Sequence, residues 1–470
     1  MLVRPIAVLS CTFVAAVVAA CSSSSSTDQD ETPTFSETVQ PIVQDRCQNC
    51  HREGGIAPFA LETYEQVKAV ASLAKDKIVA HEMPPWGAFD SDACKMQHPI
   101  KDDLRMKDDE IKKFVRWVET GAQRGDPSKA PPARTFAAHG LIDKTHTFSL
   151  PQPYTVEGGA KDDIRCFPID PGFTEDTWVG GSNVVPGDPT VVHHVIVYTD
   201  PNAEGVAKAK ATGTESYPCF GGPQVGSPSL LLAWAPGVQP ANYGEDAGIK
   251  VTKGSHLIVQ VHYHPTATTK QDQTGFELKV LPTKPSFVTQ ILLLGNAESA
   301  TGILHLLPGP DDPASGPEFK IPANIKGHTE AMEVTIPESL NGGTIPPLSI
   351  LAAGSHMHWA GVDMKIEVDR KAASDGQPQK ECLVGTPKYD FNWQRAYAYD
   401  EPFDKLPVVQ PGDTLRFTCT YDNTMGNKYV QRALAEQRVA APVDIHLGET
   451  TLDEMCLGAV IAVRRATAID

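Results

Sequence analysis

Val191-Val192-His193-His194-Val195-Ile196-Val197-Tyr198 is a β-branched run that carries two adjacent histidines at its centre. Val, Ile and Tyr at this density favour a strand. Two other runs repeat the theme: Gln260-Val261-His262-Tyr263-His264 and Ser355-His356-Met357-His358. Alternate residues of a strand leave the same face, so His356 and His358 are expected to reach one metal ion from a rigid support. Adjacent His193 and His194 leave opposite faces of a regular strand and converge only at a strand end or a β-bulge. Imidazole ligands suit zinc, copper, iron or nickel. A soft ligand separates these metals, and Met455 in Leu452-Asp453-Glu454-Met455-Cys456, joined to two imidazoles, favours cuprous copper.

Upstream the chain changes character. Cys47-Gln48-Asn49-Cys50-His51 is the C-x-x-C-H pattern of a covalently bound haem c, in which two thiols bond the porphyrin and His51 ligates iron. Met83, in His81-Glu82-Met83-Pro84-Pro85-Trp86, is the expected sixth ligand because the prolines stiffen its loop. His81, Met96 and Met106 compete for that role. Phe35, Val39, Ile42, Val43 and Cys47 share one helical face, as do Ile111, Phe114, Val115 and Val118, which predicts a small all-α cytochrome domain over residues 35–128.

Before that domain, Arg4, an apolar stretch to Ala20 and small residues ahead of Cys21 predict an export signal over residues 1–20. Val18-Ala19-Ala20-Cys21 resembles a bacterial lipobox, so Cys21 is expected to carry a lipid. Residues 21–34 are then a flexible polar tether. The expected location is an exported lipoprotein on the periplasmic side of the membrane, and Ser22 after Cys21 favours the outer membrane. In such an oxidising compartment Cys94, Cys166, Cys219, Cys382, Cys419 and Cys456 are free to pair, but spacing alone does not assign the partners. A net charge of −17 repels nucleic acid phosphates.

The ordered set Val192-His193-His194-Val195, Gln260-Val261-His262-Tyr263, His356-Met357-His358 and Asp453-Glu454-Met455-Cys456 resembles the copper type II, ascorbate-dependent monooxygenases. This is the family of dopamine β-monooxygenase and peptidylglycine α-hydroxylating monooxygenase, and the resemblance covers roughly residues 145–468. It implies two all-β antiparallel jelly-roll sandwiches, here 145–284 and 285–470, following a linker over 129–144. It implies two copper ions across a solvent-filled cleft. His193, His194 and His262 match the ligands of an electron-storing copper, with Gln260 nearby. His356, His358 and Met455 match the ligands of the catalytic copper that binds O2 and hydroxylates a small organic substrate. His264 has no matching role and is a candidate for supporting a ligand or for serving as an alternative one. The resemblance pairs Cys419 with Cys456 and Cys166 with Cys219, and leaves Cys94 and Cys382 unassigned.

Peptide-amidating members hold a substrate carboxylate with Arg, Asn and Tyr, where this chain has Gly354, Leu457 and Ala459. None of these binds a carboxylate through its side chain, which argues against peptide amidation and for a less polar or differently anchored substrate. The electrons are expected from ascorbate or another one-electron reductant, or from the fused haem passing them to the first copper. The rival expectation is a lipid-anchored haem and copper electron-transfer or copper-binding protein without hydroxylase activity. A structural zinc protein is a third.

Overall fold

From His146 onward β-branched runs alternate with glycine- and proline-marked turns, and the chain forms strands there with two short helices, Glu204–Thr212 and Lys428–Glu436. The computed structural model describes residues 32–470 except 56, 136–139, 142, 237, 310–311, 341, 375 and 468–469. The export signal, the lipobox cysteine and most of the tether lie outside the described residues. Among the described residues no helix is long and apolar enough to cross a membrane.

Two β-sandwiches follow from this pattern. In the first, the sheet holding Asp163–Ile169, His256–Tyr263 and Val192–Asp200 packs on the sheet holding Gly275–Val280, Thr177–Val185 and Ala247–Val251. Phe167, Val195, Val197, Val259 and Val261 from one sheet meet Val179, Ile249 and Leu278 from the other. In the second, the sheet of Lys326–Thr335, Thr414–Asp422 and Gly361–Asp369 packs on that of Phe287–Gly295, Leu457–Arg465 and Leu348–His356. Met332, Met364, Ile366 and Phe417 fill the layer against Ile350, Val460 and Ala462. Along Gly361–Asp369 and Thr414–Asp422 buried and more exposed side chains largely alternate, whereas His256–Tyr263 and Thr177–Val185 are buried along almost their whole length; each buried large apolar side chain contributes about 1.5–3 kcal/mol.

One feature departs from two separate antiparallel sandwiches. Phe287 and Val288 pair in parallel with Ala247 and Gly248, which fuses one sheet of each sandwich into a single ten-stranded sheet. Mainchain hydrogen bonds thus hold the sandwiches side by side, just after the expected boundary between residues 284 and 285.

Short helices lie in the N-terminal region, at Gln40–Arg46, Tyr64–Ala69, Ala71–Val79 and Asp108–Glu119. Thr63 caps the second with a reciprocal Thr63–Gln66 capping box. Phe35, Val39, Ile42, Val43, Phe114 and Trp117 form their common core. Trp117, absent from the expected apolar face, is its largest buried side chain.

The intervening segment does not stay with these helices. Trp86 and Ala88 join the core of the second sandwich, with Phe89, Met96, Ile100 and Leu104 packed against it. Cys94 forms a disulfide with Cys382, which assigns the two cysteines that the resemblance left over. His98 adds an ion pair to the buried Glu381 at 3.0 Å. The segment is therefore a strap that fastens the helical region to the second sandwich.

Candidate metal centres and the cavity between them

The first centre is made by a strand irregularity. His262 faces His194 across the strand pair, but Tyr263 faces Val192, so His193 is an extra residue with no cross-strand partner. This β-bulge turns His193 onto the same side as His194, as convergence requires. Ligand atoms of His193, His194 and His262 all lie within 4.8 Å of one another. The Nδ1 atoms of His193 and His194 are 3.2 Å apart. Burial drives both rings well below the ordinary imidazole pKa, and the neighbouring histidines push them further. They are thus neutral, the form that binds metal. His262 Nε2 is buried without a hydrogen-bond partner, its nearest carboxylate oxygen being Asp162 Oδ2 at 3.5 Å.

Gln260 lies two residues before His262 on the same strand. Its amide donates to the Cys219 carbonyl at 2.9 Å, beside the Cys166–Cys219 disulfide. His264 does not join the triad. Its Nδ1 meets Asp162 at 2.8 Å and its Nε2 meets Glu436 of the second sandwich at 3.3 Å. Asp162 also accepts from Thr451 at 2.9 Å, so one carboxylate touches both sandwiches.

The second centre stands where strands end. His356 is the last residue of Leu348–His356, and His358 lies beyond it. The expected H-x-H strand face therefore covers only its first histidine. The two rings are nonetheless 5.4 Å apart, edge to face. Each is oriented through Nδ1, which donates to the Asp453 carbonyl at 2.9 Å in His358 and to Gln394 Oε1 in His356. Gln394 in turn donates its amide to the Phe391 carbonyl at 3.0 Å, which fixes its oxygen towards His356. Nε2 is left as the free nitrogen of both rings. Burial lowers both pKa values, that of His358 to about 3.

Glu454 organises this corner. Its carboxylate is 1 % exposed and accepts backbone N–H groups from His358 and Ala360 at 2.7 Å, Met455 at 3.0 Å and Gly361 at 3.2 Å. One side chain therefore ties the segment carrying His358 to Met455, two residues before the strand Leu457–Arg465. The Cys419–Cys456 disulfide pins the residue after Met455, and Tyr421 donates to the Met455 carbonyl at 2.8 Å.

The two centres face one cavity of about 950 Å³ between the sandwiches. His194 and Gln260 line it from the first sandwich, and His356, His358 and Met455 from the second. Gly354, Leu457 and Ala459 line it too.

Residues 386–395, which carry no sequence motif, touch both centres. Tyr389 bonds the backbone of Met357, Gln394 holds His356, and the Phe391 ring stacks on His193 at 5.3 Å between ring centres. Sequence reading missed these residues because an isolated aromatic or amide in a loop carries no periodic signal. Glu454 was visible beside Met455, but its role depends on backbone groups that sequence does not display.

In the N-terminal region Cys47 and Cys50 are the free cysteines among the described residues. Burial pushes the Cys47 thiol up to about 12 and raises Cys50 as well. A reactive redox dithiol needs the opposite shift. His51 Nδ1 donates to the Phe59 carbonyl at 3.1 Å, leaving its Nε2 as the free ring nitrogen. Met83 is 38 % exposed, whereas Met106 is buried in the helical core and Met96 packs on the second sandwich. His81 packs edge-on against Phe89 at 5.9 Å. No described contact joins Met83 to His51. Phe59, Leu73 and Val79 are also exposed, an unusual share of large apolar side chains for so small a region.

No family model matches the chain. Over 253 residues it is 23 % identical to a tyramine beta-hydroxylase of Caenorhabditis briggsae, a match covering 51 % of this chain and 36 % of the relative. The chain thus spans about a third of the length of that relative. Among solved structures it is similar to PNGase F of Flavobacterium meningosepticum (11 % identity, 64 % of this chain, 99 % of that one, TM-score 0.20). A CBM22 tandem domain of Paenibacillus barcinonensis Xyn10C also matches (10 % identity, 65 % and 80 %, TM-score 0.15).

Proposed function

We propose that this chain is a copper-dependent monooxygenase that hydroxylates a C–H bond of a small organic substrate with O2. One observation carries the proposal: a clustered imidazole triad reaching a cavity through His194 faces a second set of two imidazoles and a thioether lining the same cavity. The tyramine beta-hydroxylase relative points the same way. The donor sets fit copper. The triad offers three clustered imidazole nitrogens, one of them a buried orphan, and the second set offers two pre-oriented imidazoles with a soft sulfur on the same cavity wall.

His193, His194 and His262 would hold one copper ion, and His356, His358 and Met455 the other. Copper there supplies O2 activation and electron storage. The reaction takes up two electrons and two protons per O2, giving one hydroxylated product and one water. Ascorbate or another one-electron reductant provides the electrons. Gly354, Leu457 and Ala459 present no charged side chain to the cavity, which suits a substrate whose reacting end is neutral and apolar.

The N-terminal region fits a covalently bound haem c. Cys47 and Cys50 are unpaired thiols, His51 has its Nδ1 engaged and Nε2 free, and Met83 remains exposed as the sixth ligand. Haem there supplies one-electron transfer from a donor protein or reductant to the copper centres. The strap brings this region against the second sandwich, beside residues 386–395, where Lys388 donates to the Ala80 carbonyl at 3.1 Å. A lipid on Cys21 holds the chain at the periplasmic face of a membrane.

Metal, haem and product analysis of the full chain tests this reading. Two coppers and one haem per chain, with one oxygen atom from labelled O2 in a hydroxylated product, are the expected results. Zinc at the histidine centres overturns it. Copper and haem with O2 consumption but no hydroxylated product under any substrate would replace it with the electron-transfer reading.

A further inference from the structure

Phe391 occupies a position that neither centre explains alone. Its ring lies 5.3 Å from the His193 ring, nearly parallel at 26°. It lies 6.5 Å from the His358 ring, edge to face at 86°. Its other side stacks on Trp359, the residue after His358, at 4.4 Å. A side chain of the second sandwich thus touches a triad histidine of the first while packing against the turn that carries His358.

The surrounding contacts hold Phe391 in place. Asp390 bonds the Tyr429 hydroxyl, and Asn392 donates to that hydroxyl at 3.0 Å. Tyr429 belongs to Lys428–Glu436, whose Glu436 reaches His264 on the triad strand at 3.3 Å. Two residues after Phe391, Trp393 leads into Gln394, which orients His356. Both neighbours of Phe391 are therefore anchored to a helix that itself contacts the first sandwich.

Building on the copper reading above, we infer that Phe391 is a positioning residue that sets the separation and relative orientation of the two histidine centres. Aromatic rings in stacked and edge-to-face contact prefer defined offsets, and a buried ring tolerates little displacement because packed interiors transmit strain. The two centres are consequently held at a fixed separation across the cavity, while each keeps its own ligand-orienting contacts. An aliphatic side chain at 391 keeps the apolar burial and loses the stacking, which separates positioning from bulk stability.

The test uses the full chain with both centres loaded with Cu(II) and the inter-copper distance read by pulsed electron paramagnetic resonance. Wild type is expected to show one narrow distance. Phe391→Leu is expected to show a broadened or displaced distribution with copper stoichiometry and thermal midpoint retained, and Phe391→Tyr to restore the narrow one. A Phe391→Leu protein with the wild-type distribution overturns the inference. Phe391→Met serves as the second variant if Phe391→Leu does not fold. In the metal-free chain, the His193 ring protons are expected to carry an upfield ring-current shift that is lost in the Leu and Met variants. An unchanged shift overturns the inference without reference to copper, whereas failure to take up two coppers defeats only the proposed function.

Discussion

The His193–His194–His262 centre stands on two paired strands, while the His356–His358–Met455 centre stands where strands stop. In the first, the ladder itself supplies the geometry, and one extra residue in one strand is enough to bring three imidazoles together. In the second, the ladder ends at His356, opposite Leu457, and the two remaining donors sit in turns. Turns have no ladder to fix them, so side chains do the work: Glu454 binds four backbone N–H groups, Gln394 and the Asp453 carbonyl orient the rings, and a disulfide follows Met455. A centre at the limit of a sheet gains access to a cavity, and its order then depends on a few irreplaceable contacts.

The comparison breaks most sharply at Glu454. Glu454→Ala leaves four backbone donors without their acceptor in a buried corner, and the expected loss of stability is about 3–5 kcal/mol. Urea unfolding of the full chain measures it. Copper stoichiometry is expected to fall from two to one, with the triad retained. A variant that loses both coppers together, or neither, shows that the second centre does not depend on this carboxylate as described.

These contacts also mark how far the sequence could be read. The β-rich class and the clustered histidine pairs were legible because strand propensity and ligand chemistry are local properties of residue types, whereas the grouping of His262 with His193 and His194, and of Met455 with His356 and His358, rested on the family resemblance. The need for a bulge at His193 was legible for the same reason, since adjacent side chains on a regular strand diverge. The parallel join of Phe287 with Ala247, the strap over residues 86–104 and the Cys94–Cys382 bond were not, because each depends on which distant segments meet. Nothing local to Cys94 distinguishes it from any other cysteine. His264 was legible as a histidine near a metal, but its partners Asp162 and Glu436 come from elsewhere in the chain and give it a bridging place instead.

A milder perturbation sharpens the comparison at Gln394. Gln394→Leu removes the acceptor that orients His356 while keeping the volume, and metal affinity at the second centre is expected to fall roughly 10- to 100-fold. Affinity at the triad is expected to hold within about twofold, because no described side chain of that loop hydrogen-bonds a triad ring. Competitive copper titration with a chelator resolves the two affinities. Equal losses at both centres would overturn this expectation and show that residues 386–395 also set ligand affinity at the triad, beyond the distance that the Phe391 contact fixes.

The smallest effect is expected from the strap, which fastens only the second sandwich. His98 bonds Glu381 at 3.0 Å and lies 3.6 Å from Glu401, while Glu381 also binds Arg370 at 2.7 Å; the Tyr399 ring packs beside His98. The hydrogen bond to Glu381 raises the His98 pKa above its ordinary value, against the pull of partial burial. Burial pushes the Glu381 carboxyl up, but its bonds to His98 and Arg370 outweigh that and hold it below the usual range. A raised histidine stabilises the fold fully below its unfolded pKa of about 6.5 and loses that contribution as pH rises through the higher folded value. A depressed carboxylate stabilises above its unfolded pKa of about 4.3 and loses that contribution as pH falls through the lower folded one. The strap is therefore tightest between these limits and slackens on the alkaline side by on the order of 1 kcal/mol, the size of a partly screened pair. Thermal unfolding of wild type and His98→Asn across roughly pH 6 to 8.5 checks this, with the difference between them expected to shrink as pH rises through the His98 titration. A constant difference across that range would mean that the neutral ring holds Glu381 as well as the charged one, and no difference at all that the strap is fastened by the Cys94–Cys382 bond and its apolar packing alone.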